Sequence, residues 1–334
     1  MTIYLITFMA AFGSTFVLTP IMTKIAFRAN ILDRPSNDLK VHRKPIPYMG
    51  GIAILLGILI SLSFAYVRLS LDRLHYWGLL SSAVFISSLG LLDDLFDIKQ
   101  IYKFLLQILV AAMLVLIGYR VGTIPVTIVA IPLTMFFIVG ACNALNLLDG
   151  LDGLAAGNSA IAALFFLVLF LIKGDHFGTS LSLSLLGAST AFLFFNYNPA
   201  SIFMGDAGSM LIGLILSILM IRSSSSANDY ISFFISVLIC GVPVFDTALT
   251  YIRRYINKKP IFLGDRSHFY DQLIDKGFSL KTTVGIGYLL GIIFGVIALL
   301  MMRLDNFLAS LVFLLVLTIL VSVVWKMDMI KTSR

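Results

Sequence analysis

Residues 154–172, LAAGNSAIAALFFLVLFLI, run for nineteen positions without a formal charge. At about 1.5 Å per residue, a helix of that length reaches about 28 Å, close to the hydrocarbon thickness of a bilayer. Immediately before it stands the opposite texture, Asn143-Ala-Leu-Asn146-Leu-Leu-Asp149-Gly150-Leu-Asp152-Gly153, with two amides, two carboxylates and interleaved glycines. That stretch makes a poor membrane centre and a good non-helical border to a polar cavity. Working outward, runs of spanning length fall at 2–22, 50–67, 76–92, 103–119, 125–143, 154–172, 179–195, 207–222, 230–252, 280–302 and 307–325. Of the 334 residues, 59% are hydrophobic and 12% charged, against about 45–50% and about 25% in a soluble domain. A soluble enzyme, a disordered tail protein and a nucleic-acid-binding domain are excluded. The expectation is an all-α polytopic integral membrane protein with about eleven transmembrane helices, one transmembrane domain over 1–334.

The net charge of +7 sits in loops between the spans, where it reports orientation and affinity for phosphates or anionic head groups. Segments after odd-numbered spans, with the C-terminal tail, hold eighteen Lys and Arg, and the opposite side holds six. This predicts an N-terminus outside, a C-terminus in the cytoplasm, and a first span that is retained. All seventeen acidic residues are Asp, and only Asp72, Asp175, Asp229 and Asp305 fall on the outer side. Orientation does not require acids to follow bases, so a face that gathers both signs suggests a charged substrate and a metal. Cys142 and Cys240 lie in apolar runs without metal spacing and read as buried packing.

Five constellations on the inner side carry candidate chemistry. Asp93-Asp94-Leu95-Phe96-Asp97 ends the third span. On a helix Asp93 and Asp97 share a face with Asp94 about 100° away, and adjacent carboxylates there need a cation or a hydrogen-bond network to coexist. The stretch from Asn143 to Leu154 is the second. The third, Phe195-Asn196-Tyr197-Asn198-Pro199-Ala-Ser-Ile-Phe203-Met204-Gly205-Asp206-Ala207-Gly208-Ser209, connects spans seven and eight, and in it Asp206 either caps the eighth span or points at a metal. The longest inner segment, Arg253 to Lys281, supplies Arg266 and His268. Pro243 should bend the ninth span above it, leaving Asp246 near the bilayer edge as a functional acid or the partner of a nearby cation. Last, Lys40-Val-His42-Arg43-Lys44-Pro45-Ile-Pro47-Tyr-Met-Gly50-Gly51 reads as a rigid phosphate-binding loop.

In this order the five elements resemble the polyprenyl-phosphate N-acetylhexosamine-1-phosphate transferases of glycosyltransferase family 4, from Lys40 to about Gly277. Eleven spans look like the branch that starts O-antigen, teichoic-acid or capsule chains. Where that branch often has His-x-His-His, this chain has His268-Phe269-Tyr270-Asp271, so only the first His is kept. The resemblance implies that Asp206 with Asn146 holds Mg²⁺ (Mn²⁺ as substitute) on the diphosphate, with Asp93 and Asp94 at the reacting phosphates. It further implies that Asp152 bonds the uracil, that Lys44 and Arg266 bind diphosphate or sugar with His268 close by, and that Asp149 and Asn143 shape the pocket. The implied partners are a UDP-N-acetylhexosamine, UDP-GlcNAc first, and undecaprenyl or another polyprenyl phosphate. No nucleic acid is implied, and a homodimer stays open. The active site would face the cytoplasm at the inner (plasma) membrane, in the first membrane step of a cell-envelope polysaccharide. Among rivals, a prenyltransferase would need a second Asp-rich copy, and a CDP-alcohol phosphotransferase an Arg after the DG-x-x-A step Asp152-Gly153-Leu154-Ala155-Ala156, where none stands. A cation-coupled transporter would place its acids along a pathway instead of at one face.

Overall fold

The computed structural model describes residues 2–34, 44–224, 229–258 and 268–330. Among them run α1 (Thr2–Ala29), a two-residue antiparallel pair β1 (Leu32–Asp33) and β2 (Ile46–Pro47), α2 (Gly50–Leu69), α3 (Arg73–Phe96), α4 (Gln100–Ile117), α5 (Thr127–Leu148), α6 (Leu154–Lys173), α7 (His176–Asn196) and α8 (Gly205–Ser223). There follow α9 (Tyr230–Ile239), α10 (Gly241–Ile256), α11 (Phe269–Asp275), α12 (Leu280–Met301) and α13 (Asn306–Lys326). Ten of these helices are long and apolar enough to cross a membrane, and α9 with α10 makes an eleventh if the bent pair counts as one span. The all-α polytopic expectation holds.

The ninth span, read as one segment over 230–252, is two helices meeting at 85°. Pro243 lies in the first turn of α10, where a residue without an N–H is tolerated. Having no N–H to donate to the Ile239 carbonyl four residues back, it ends the α9 ladder there.

The bundle is apolar outward. The most apolar spanning helix, α13, buries only Ala309 and Val316, whereas every residue of α8 from Ala207 to Ile221 is buried. Lipid tails solvate Leu as well as a protein core does, so small residues that permit close backbone approach decide which helix sits inside. Gly90 of α3 shows this: a Cβ there would collide with the backbone of Asp206 and Ala207. The start of α2 is joined to the same place. Its Gly50 and Gly51 N–H groups donate to the Phe203 and Met204 carbonyls at 3.0 and 2.9 Å, and Phe203 N–H donates to the Pro47 carbonyl at 2.9 Å. These bonds satisfy a helix start that has no side-chain cap.

The far end of the bundle is tied separately. Arg222 grips Asp175 through two nitrogens at 2.5 and 2.9 Å, and Lys173 donates to the Ser223 carbonyl and the Ser232 hydroxyl, both at 2.8 Å. Both cysteines are buried thiols.

Candidate active site

One end of the bundle carries a cavity of about 730 Å³. Its walls come from the C-terminal ends of α1, α3, α5 and α7, the N-terminal ends of α8 and α12, and the segments that precede α2 and α6. Lys44, Asp94, Asn146, Asp149, Asp152 and Asp206 all line it.

The first turn of α8 is the centre of this arrangement. Gly205 takes φ +66°, which a side chain disfavours, and a Cβ there would strike the Asp94 carboxylate. Asp94 Oδ1 accepts the Asp206 N–H at 3.0 Å, and Oδ2 accepts the Ala207 N–H at 3.4 Å. A carboxylate from α3 therefore caps α8, so Asp206 is not needed as its own cap. The Asp206 side chain turns instead to α4 and α5: Asn146 Nδ2 donates to its Oδ1 at 2.6 Å, and Lys103 Nζ donates to its Oδ2. Lys103 also donates to Asp93 Oδ2 at 2.9 Å, while Asp93 Oδ1 accepts the Ile98 N–H at 2.9 Å. The adjacent carboxylates Asp93 and Asp94 thus coexist through two different networks.

Asp97, expected on the Asp93 face, is not part of the site. It terminates α3 at φ 49°, exposed, because the chain reverses where the Asp93 carboxylate captures the Ile98 amide, and Asp tolerates the left-handed region.

Asp152 Oδ2 accepts from Asn198 Nδ2 and from the Ala200 N–H, both at 3.0 Å, which orients the carboxylate and leaves Oδ1 for a ligand donor. Asp149, just past α5, is held well above the ordinary carboxylate range by burial, and then by the charges of Asp206, Asp94 and Asp152. Tyr48 is likewise shifted upward, by burial and then by the Asp33 and Asp94 charges.

Among the described residues, no three His, Cys or Asp side chains form a ready cation cage. A carboxylate beside an amide is a donor pair of hard oxygens that a small divalent ion completes with phosphate oxygens and water. By residue type the Asp206–Asn146 pair fits such an ion, although the amide now presents its nitrogen, not its oxygen, to Asp206.

The model of the family described as glycosyl transferase family 4 matches residues 76–224, a stretch that holds Asp93, Asp94, Asn143, Asn146, Asp149, Asp152 and Asp206. A probable undecaprenyl-phosphate N-acetylglucosaminyl 1-phosphate transferase of Bacillus subtilis (strain 168) is 37% identical over 88% of this chain and 84% of its own length. The chain belongs to glycosyl transferase family 4. A decaprenyl-phosphate N-acetylglucosaminephosphotransferase of Mycobacterium tuberculosis (strain ATCC 25618 / H37Rv) is 34% identical over 82% of this chain and 76% of its own. A phospho-N-acetylmuramoyl-pentapeptide-transferase of Halalkalibacterium halodurans is 31% identical over 89% and 97%. This family 4 chain is therefore similar to relatives named for both kinds of sugar.

Three expected site residues of this family 4 chain, Asp93, Asn143 and His268, lie off the cavity wall. Asn143 donates to Gln107 Oε1 at 2.7 Å and to the Val139 carbonyl at 2.8 Å, and Gln107 Nε2 contacts Met210 Sδ at 3.2 Å. Asn143 therefore joins α5, α4 and α8 one turn behind the cavity. His268 is buried, its Nδ1 2.8 Å from Asp246 Oδ2, while Asp246 Oδ1 accepts the Phe269 N–H at 2.8 Å. Asp246 is therefore bonded to the His268 ring and to the start of α11. Arg266 lies outside the described residues, as do Lys40, His42 and Arg43.

Asp246→Ala should leave the Phe269 amide unpaired in a buried place and His268 Nδ1 with only Thr250 Oγ1, 3.3 Å away, at a cost of about 2 kcal/mol, with Asp246→Asn losing less. Thermal melts in detergent would check this; a melt unchanged in Asp246→Ala would show the pair to be idle.

Sequence reasoning missed Lys103 and Gln107 as site residues. A signal existed: Lys103, Gln107, Val110, Ala111 and Leu114 form the buried stripe of α4, and two polar residues in register with an inward stripe mark a polar contact inside the bundle.

Proposed function

We propose that this protein transfers an N-acetylhexosamine 1-phosphate, GlcNAc-1-phosphate first, from its UDP-sugar to a polyprenyl phosphate such as undecaprenyl phosphate, releasing UMP. The observation that carries this reading is the convergence of Asp206, Asn146, Asp94, Asp149, Asp152 and Lys44 on one cavity at one end of the bundle. The names of the relatives support the acceptor and the sugar phosphate. The excess of eighteen Lys and Arg over six supports a cavity facing the cytoplasm at the plasma membrane, with the N-terminus outside and the C-terminus inside.

In this reaction a lipid phosphate oxygen attacks the β-phosphorus of the UDP-sugar. The bond from that phosphorus to the oxygen bridging the two phosphates breaks, and UMP leaves with the electron pair. A phosphate monoester has its second pKa near about 6, so the attacking group is largely dianionic at neutral pH and needs no obligatory base. The work left to the side chains is positioning and charge neutralisation. Asp152, oriented by Asn198 and Ala200, would accept the uracil N–H through Oδ1. Lys44 places a cation on the cavity wall for the diphosphate, and Arg266 is assigned beside it by sequence alone. Asp206 with Asn146 would hold Mg²⁺, or Mn²⁺ in its place, and the bound ion would neutralise diphosphate charge.

Purified protein in detergent should release UMP only when UDP-N-acetylhexosamine, polyprenyl phosphate and a divalent ion are all supplied, with UDP-GlcNAc fastest in a panel of UDP-sugars. UMP release without the lipid, or no release with any sugar in the panel, would refute the reading. A transporter would move its solute across vesicles with no UMP formed.

A further inference from the structure

The side chain that neutralises the carboxylates here is itself a cation. Lys103 is 4% exposed and its ammonium lies between α3 and α8, donating to Asp93 Oδ2 at 2.9 Å and to Asp206 Oδ2. The other Asp206 oxygen accepts from the amide nitrogen of Asn146 at 2.6 Å. Each oxygen of the carboxylate assigned to the metal thus faces an N–H donor, and the Asn146 amide presents nitrogen where a metal needs oxygen. A divalent ion on Asp206 would also stand one ion's breadth from an ammonium, and like charges at that distance in a buried site repel strongly.

We propose that Lys103 holds the place of the divalent ion. In the metal-free protein its ammonium neutralises Asp93 and Asp206 together. For Asp206 and Asn146 to hold a divalent ion, Lys103 would have to leave Asp206, and Asn146 would have to offer its amide oxygen. The lysine stem is flexible and its ammonium is a compact point charge. Its ammonium then stays with Asp93. No bond is made or broken, and the exchange is one cation for another on a single carboxylate. The device keeps a buried cluster of acids neutralised between turnovers, since unpaired charges there would destabilise the bundle. The inference rests on the assignment of Asp206 as the metal ligand, and its test separates the two.

The experiment is Mn²⁺ binding to the full-length protein in detergent, with neither nucleotide nor lipid present, read as free Mn²⁺ by electron paramagnetic resonance and as metal-dependent melting. Competition from the ammonium predicts that Lys103→Met binds Mn²⁺ at least about ten-fold more tightly than wild type. It also predicts that its melting temperature rises with Mn²⁺ by more than that of wild type. Adding Asp206→Asn to Lys103→Met should remove the gain. Lys103→Gln, which loses the charge and keeps a donor for Asp93, should shift affinity in the same direction and serves if Lys103→Met does not fold.

Equal or weaker Mn²⁺ binding in both Lys103 variants, including no binding in any protein, overturns the placeholder. If Asp206→Asn abolishes binding while the Lys103 variants match wild type, the metal assignment stands and the placeholder alone falls. If Asp206→Asn leaves binding untouched, the metal lies elsewhere and both fall.

Discussion

Asp206→Asn should lower turnover by at least about 10³-fold while leaving the helical bundle intact, as expected when the anionic ligand of a charge-neutralising ion is lost. The substitution is nearly isosteric, and its remaining oxygen can still accept from Asn146 or Lys103. Lys103 keeps Asp93, so the buried ammonium is not orphaned, and one of several crowded carboxylates becomes neutral. Circular dichroism and size exclusion should therefore match wild type, with a melting temperature within about 2 °C, the scale of about 1 kcal/mol in a chain of this size. UMP release measured with both substrates and metal at saturation is the check. Wild-type turnover in this variant would remove the metal assignment and, with it, the reading of the cavity as a phosphoryl-transfer site.

Asp94→Ala is the second large effect, with a different cause. Asp94 accepts two backbone N–H groups at the start of α8, and α8 carries Asp206. Removing that cap should destabilise the protein by about 1–2 kcal/mol and lower turnover by about 10²-fold, because a shift of about 1 Å in a positioned group has that scale of effect. Asp94→Asn retains an oxygen for the Asp206 amide, held at 3.0 Å, and sets an NH₂ donor against the Ala207 amide. It should recover much of the stability and part of the turnover. That ordering separates a positioning role from a direct one. If both variants melt like wild type and lose activity equally, Asp94 works through its charge on the substrate instead of through α8.

The spans were legible because a membrane helix needs a minimum run of apolar residues, a property of local composition. The bend in the ninth span was legible too, since Pro243 cannot donate to a carbonyl four residues earlier. Its angle was not, because that depends on what α10 packs against. The candidate carboxylates at 93, 94, 149, 152 and 206 could be named from their charge in apolar surroundings, but their division of labour could not. That the cap of α8 is not Asp206 is decided by Asp94, 112 residues away in sequence. The partner of Asp246 is likewise supplied from another element, by His268 ahead of α11.

Lys103 shows the same limit from the other side. On its own it is one more positive charge at the inner end of a span, counted toward orientation. Its meaning as the cation between Asp93 and Asp206 exists only once α3, α4 and α8 pack together.

What the amino-acid sequence by itself determined is therefore the class of molecule and the number of spans to within the bent pair. These follow from hydrophobic length and from which residue types a membrane excludes, and both are summed locally along the chain. What only the tertiary structure decided is which donor faces which acceptor. That assignment rests on contacts of about 3 Å between residues far apart in sequence, and no local pattern encodes them.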